Sequence, residues 1–208
     1  MYIKICGITD EIEADYCNAA MPDFVGFIQF VEKSKRNIST KKAVSIMKKI
    51  DPKIKKVAVT ISPSNEQVHK LCEAGFDYIQ IHGSVDLSLI ENAKLPVLKA
   101  FNVKDMSDFS KYNKCGNIKG YVFDAASPGS GETFDWEILK KLPAISQDKI
   151  LLLAGGLNPD NVYEAISKTH IPGVDVSSGV EKDEGAGKDS KKIQRFVNEA
   201  RRADMGDK

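Results

Sequence analysis

Residues 2–10 read Tyr2-Ile3-Lys4-Ile5-Cys6-Gly7-Ile8-Thr9-Asp10, a short β-rich run that breaks at a glycine. Such a run opens either a doubly wound sheet or a closed barrel. A dinucleotide-binding sheet would continue into Gly-x-Gly-x-x-Gly, which lets the backbone approach a pyrophosphate. Here a lone Gly7 is followed by Ile8-Thr9-Asp10, and the fingerprint is missing. Moving outward, similar runs recur at Phe24–Phe30, Lys56–Ile61, Asp77–Ile81, Val97–Phe101, Lys119–Phe123, Lys149–Leu153 and Gly173–Val176. They begin roughly every 20–32 residues, the spacing of βα units. Eight units share 208 residues at about 26 apiece, the lean end for a (β/α)8 TIM barrel. The expected fold is α/β, one such barrel taking residues 1–208 as a single domain.

The segments between the strands carry helix punctuation. Asp10 with Glu13, and Ser64 with Gln67, have the spacing of capping boxes. Ser39 precedes Ala43, Ile46, Met47 and Ile50 on one face, and Gly75 is placed to end a helix. Asn158-Pro159 is expected to start a helix that buries Val162, Ala165 and Ile166. The last helix is expected from about Asp189, with Ile193, Phe196 and Val197 inward, and the weakest one over Val85–Asn92.

Composition narrows the function. Thirty basic against 29 acidic side chains leave a net charge of +1, no footprint for nucleic acid. With 42% hydrophobic residues the chain is not of the disordered class, and no apolar run approaches the ~20 residues that cross a bilayer. No leader pattern precedes the first strand, so a cytoplasmic location is expected. The four cysteines lack a Cys-x-x-Cys pair and read as free thiols. His69, His82 and His170 lie in separate segments, so no metal site is expected.

Barrel enzymes keep their chemistry at the C-terminal ends of strands. Side-chain alternation turns Ile3, Ile5, Ile79 and Ile81 toward the helices. It leaves Lys4, Cys6, Gln80, His82, Val122, Asp124, Asp175 and Ser177 facing the axis. Cys6, His82, Asp124 and Ser177 form a polar set at the strand ends. Taken singly, Cys6 also reads as a small buried hydrophobe, Asp124 as a turn cap and His82 as a turn residue. Lys4 and Asp175 sit deeper on strands that adjoin when a barrel closes, and are expected to form a structural ion pair. Cys17, Cys72 and Cys115 are expected to pack or to lie at the surface.

Two glycine-bearing loops add a ligand class. Leu153-Ala154-Gly155-Gly156-Leu157-Asn158-Pro159 follows the seventh run and Val176-Ser177-Ser178-Gly179-Val180-Glu181 the eighth. In barrels those two loops often hold phosphate through open backbone N–H groups. A small phosphorylated substrate is therefore expected. Lys33-Ser34-Lys35-Arg36 follows the second run, where Arg36 could grip a carboxylate with both arms.

Together Lys4-Ile5-Cys6-Gly7-Ile8-Thr9, Gln80-Ile81-His82-Gly83, Thr133-Phe134-Asp135-Trp136, Ala154 through Asn161 and Asp175 through Glu181 resemble the phosphoribosylanthranilate isomerase family. The resemblance implies a (β/α)8 barrel that performs a cofactor-free Amadori rearrangement in tryptophan biosynthesis. It implies Cys6 as general base and Asp124 as general acid. Arg36 would meet the anthranilate carboxylate, His82 would lie with the substrate, and Gly155, Gly156, Ser178 and Gly179 would hold its phosphate. A monomer or homodimer is expected. The loop from Ala125 to Glu132, with its Ser127-Pro128-Gly129-Ser130-Gly131 run, is expected to order over the substrate. Another sugar-phosphate barrel enzyme, such as a ribulose-phosphate epimerase, and a non-catalytic phosphate binder remain the alternatives.

Overall fold

A computed structural model of the chain describes residues 1–102, 106–124, 145–146 and 148–206. Eight parallel strands close on themselves in chain order: β1 Tyr2–Cys6, β2 Phe24–Ile28, β3 Lys55–Ile61, β4 Tyr78–His82, β5 Val97–Asn102, β6 Ile118–Asp124, β7 Ile150–Leu153 and β8 Gly173–Val176. The ring shuts where β1 pairs with β8 and Lys4 comes opposite Asp175. Around it run α1 Glu11–Ala20, α2 Thr40–Met47, α3 Asn65–Glu73, α4 Leu87–Asn92, α5 Phe109–Tyr112, α6 Val162–Thr169 and α7 Ser190–Met205. Among the described residues no helix is long and apolar enough to cross a membrane.

Alternation along the strands divides the core as a barrel requires. Ile3, Ile5, Phe27, Ile79, Ile81 and Phe123 join the layer beneath the helices. Cys6, Phe24, Val57, Val59, Leu98, Ala100, Val122, Leu152 and Ala154 fill the interior. Gly26 on β2 makes room inside, since a Cβ there would lie 2.8 Å from Cys6 Sγ and 3.1 Å from Lys4 Nζ.

The caps form where the sequence puts them. Asp10 with Glu13 and Ser64 with Gln67 close full capping boxes, Ser39 accepts from Lys42 N, and Asp189 caps α7. Several strand ends shift by one residue, the fourth helix begins at Leu87, and two boundaries move for a visible reason. The second strand stops at Ile28 because Phe30 turns left-handed at φ +60 and leads the chain away. The helix expected at Asn158-Pro159 starts at Val162 instead. Asn158 Oδ1 accepts from the N–H groups of Asp160 and Asn161, at 2.8 and 3.2 Å, and holds a turn ahead of the helix. Thr133-Phe134-Asp135-Trp136 and the loop Ala125 to Glu132 lie outside the described residues.

Candidate active site

The carboxyl ends of the strands surround a cavity of about 650 Å³. Cys6, Arg36, His82, Asp124, Gly155, Gly156 and Ser178 all line it. Seven of the eight residues singled out in the sequence thus meet in one place. The eighth, Gly179, lies one residue behind the lining, where space is tight. A Cβ there would lie 2.0 Å from Leu157 O and 2.8 Å from Asn158 Cβ, so only glycine lets the β8 loop nest against the β7 loop.

Cys6 ends β1 at 7% exposure. Burial pushes its thiol above the ordinary range, while the neighbouring Lys4 ammonium pulls it back. The expected ion pair is present and bidentate, with Lys4 Nζ 3.0 and 2.9 Å from the two Asp175 oxygens. Burial disfavours the Lys4 charge, but Asp175 and Cys6 outweigh it and hold the ammonium above its usual value. Asp175 also lines the cavity. The pair therefore does more than brace the strands: it fixes a cation beside the thiol.

Across the barrel Asp124 ends β6 and reaches the same space. His82 ends β4, with Nε2 2.8 Å from Gln80 Nε2. Burial, followed by the charges of Lys4 and Lys99, brings the imidazole down to about 4, so it is neutral at physiological pH. All four cysteines are free thiols; Cys17 and Cys115 are buried, and Cys72 is partly so.

The β7 loop carries Gly155 and Gly156 at φ +92 and +66, a left-handed pair that glycine adopts at little cost. Asn161 locks the loop, donating from Nδ2 to Gly156 O at 2.9 Å and accepting from Asn158 N at 2.8 Å. Opposite it, Ser178–Val180 forms one turn of 3-10 helix. Two rigid backbone loops thus face the cavity beside the cationic stretch Lys33, Lys35 and Arg36. Such a wall suits an anionic ligand.

Residues 3–199 match the family described as N-(5'phosphoribosyl)anthranilate (PRA) isomerase. The chain belongs to that family. The N-(5'-phosphoribosyl)anthranilate isomerase of Aquifex aeolicus is 39% identical over 201 residues, 94% of this chain and 96% of the relative. The crystal structure of phosphoribosyl anthranilate isomerase from Thermotoga maritima superposes at a TM-score of 0.84, with 33% identity, over 97% of this chain and 98% of that one. A further solved phosphoribosyl anthranilate isomerase holds reduced 1-(o-carboxyphenylamino)-1-deoxyribulose 5-phosphate. It superposes at 0.79 with 29% identity, over 97% of this chain and 98% of that one.

Two residues that the sequence reading passed over hold the cavity's lining residues in place. Glu181 closes the β8 motif, and its carboxylate holds Arg36. Lys188, 1% exposed, reaches Ser177 O at 2.9 Å from the loop before α7. Glu181 carried a signal, since it ends a motif that was read as functional. Lys188 carried a weak one, a cation set between Gly187 and the helix cap Asp189.

Proposed function

We propose that the chain converts N-(5-phosphoribosyl)anthranilate into 1-(2-carboxyphenylamino)-1-deoxyribulose 5-phosphate, with Cys6 as general base and Asp124 as general acid. One observation carries the reading: a thiol and a carboxyl from opposite strands of one barrel line a single cavity, beside Arg36 and the two glycine loops. The loops take the phosphate and Arg36 takes the anthranilate carboxylate, which fixes both ends of the substrate and sets the sugar between them.

Asp124 gives a proton to the furanose ring oxygen. The C1–O bond breaks and the anilino nitrogen supplies the electrons, leaving a C1=N iminium. Cys6, as thiolate, removes the proton on C2; the C–H pair becomes the C1=C2 bond and the iminium pair returns to nitrogen. The enolamine then gains a proton at C1 and loses its hydroxyl proton to become the C2 ketone. Atoms and charge balance without an external oxidant. The base role needs the thiolate, which burial disfavours. Lys4 favours it at contact range and Lys188 at longer range. Positioned acid and base groups each contribute about 10²–10⁴-fold.

The test is loss of anthranilate fluorescence when substrate is generated in situ from anthranilate and phosphoribosyl pyrophosphate. Cys6→Ala and Asp124→Asn are each expected to lower kcat by about 10²-fold or more. Arg36→Ala is expected chiefly to raise KM. Full turnover in both Cys6→Ala and Asp124→Asn would sink the acid–base assignment, and an unchanged KM in Arg36→Ala the carboxylate role.

A further inference from the structure

Arg36 does not meet the cavity on its own. Its Nε donates to Glu181 Oε1, and its stem crosses the turn after β1 so closely that a Cβ on Gly7 would lie 2.6 Å from Arg36 Cδ. Glu181 is gripped from two more sides. Lys35 Nζ lies 2.9 Å from Oε2, and the buried Lys188 Nζ lies 3.5 Å from Oε1. Lys188 is itself fixed, because its backbone N–H donates to Glu13 Oε1 at 2.6 Å and its ammonium donates to Ser177 O. Burial alone would push the Glu181 carboxyl up; the three cations outweigh it and bring it down to about 2, so it is anionic throughout the working range.

A guanidinium has one side edge, made by Nε and an Nη, and one end edge, made by the two Nη groups. Glu181 occupies Nε. What Arg36 can still offer a carboxylate in the bidentate manner is the end edge, and Arg36 lines the cavity. We infer that Glu181, held by Lys188, is a positioning residue: it anchors the Nε side of Arg36 and turns the end edge toward the substrate carboxylate. The inference rests on the proposed carboxylate role of Arg36. Glu181 touches no reacting atom; it acts through Arg36 and belongs to binding rather than to proton transfer. Preorganisation of this kind is read in KM, because it removes the cost of ordering a long side chain when the ligand arrives.

The experiment is a double-mutant cycle on KM with the in-situ substrate, using Glu181→Gln, Arg36→Ala and the pair. KM is independent of the active fraction, so a variant that folds less completely still reports, and Glu181→Gln keeps the side-chain shape. Glu181→Gln is expected to raise KM about 5–10-fold with kcat within about twofold. In the Arg36→Ala background the same change is expected to move KM less than about twofold, since the group it positions is gone. Equal effects in both backgrounds, or an unchanged KM in Glu181→Gln while Arg36→Ala is impaired, would overturn the positioning role and leave the carboxylate role standing. An unchanged KM in Arg36→Ala removes both. A structural tie alone would lower the unfolding midpoint of Glu181→Gln without any coupling to Arg36 in KM.

Discussion

Gly179 sits where the β7 and β8 loops press together, and the space beside it is smaller than a methyl group. An alanine Cβ would fall 2.0 Å from Leu157 O, and a backbone carbonyl cannot rotate away as a side-chain tip can. One of the loops must therefore move. Gly179→Ala is expected to cost about 1–3 kcal/mol of stability, as overpacking does, and to raise KM for the phosphorylated substrate about tenfold. Urea unfolding and steady-state kinetics check the two parts. A KM within twofold of wild type would show that the nesting of the loops is irrelevant to binding. The same scale separates what the sequence displays from what it hides. Cys6 and Asp124 were legible because strand alternation alone decides which way they face. Lys188 was not, because a lysine in a glycine-flanked loop declares nothing about burial; only the folded chain puts its ammonium under Ser177 and Glu181.

At the scale of elements, the box that starts α1 shows how a local signal acquires a distant function. Asp10 supplies an ordinary cap, and its Oδ1 accepts from Ile12 N at 3.1 Å in an exposed setting. Glu13 does more. Its Oε2 accepts from Thr9 N at 2.6 Å and Asp10 N at 3.1 Å, while Oε1 accepts from Lys188 N across the barrel seam. One buried carboxylate thus ties the turn after Cys6 to the loop before α7. Asp10→Ala is expected to cost about 1 kcal/mol. Glu13→Ala is expected to cost about 2–4 kcal/mol, because it leaves the buried Lys188 N–H and the part-buried N–H groups of Thr9 and Asp10 without their acceptor. Urea midpoints at pH 7 compare them, and equal losses would mean that the tie to Lys188 carries no weight. The spacing of Asp10 and Glu13 disclosed the cap but not the tie, whose partner lies 175 residues away. The helix after β7 failed in the opposite direction. Asn158-Pro159 has the chemistry of a helix start, yet Asn158 spends its side chain on the turn before it and Asn161 anchors the glycine loop. Local propensity named the residues correctly and misjudged which structure they serve.

For the molecule as a whole, the eight β-rich runs in the sequence became eight barrel strands because their spacing leaves each just enough chain for one crossover. The same closure collects cations around a shared interior, and His82 feels that collection. Its half-buried imidazole is partly desolvated at the strand ends and feels the charges of Lys4 and Lys99, which together bring it down to about 4 from an ordinary value near 6.5. The sign of the consequence follows from proton binding. As pH falls from about 6.5 toward 4, the unfolded chain takes up a proton at this residue and the folded chain does not, so folding is progressively disfavoured. Below about 4 both states carry the proton and the loss levels off. Between pH 7 and pH 5 the wild type is expected to lose about 1–2 kcal/mol from this group, a range that allows for a ring partly open to the cavity. Asp175, whose carboxyl burial raises despite Lys4, acts with the opposite sign and is common to the two proteins compared below. Glu181, brought down to about 2, adds its own loss only where pH falls below the ordinary glutamate range. Urea unfolding of the wild type and of His82→Gln at the two pH values isolates the effect, because glutamine keeps a polar group beside Gln80 and cannot titrate. The variant is expected to lose at least 1 kcal/mol less than the wild type between pH 7 and pH 5. Parallel losses in the two proteins would mean that His82 takes up its proton in the folded barrel as readily as in water, and that the cations around the cavity do not govern its charge.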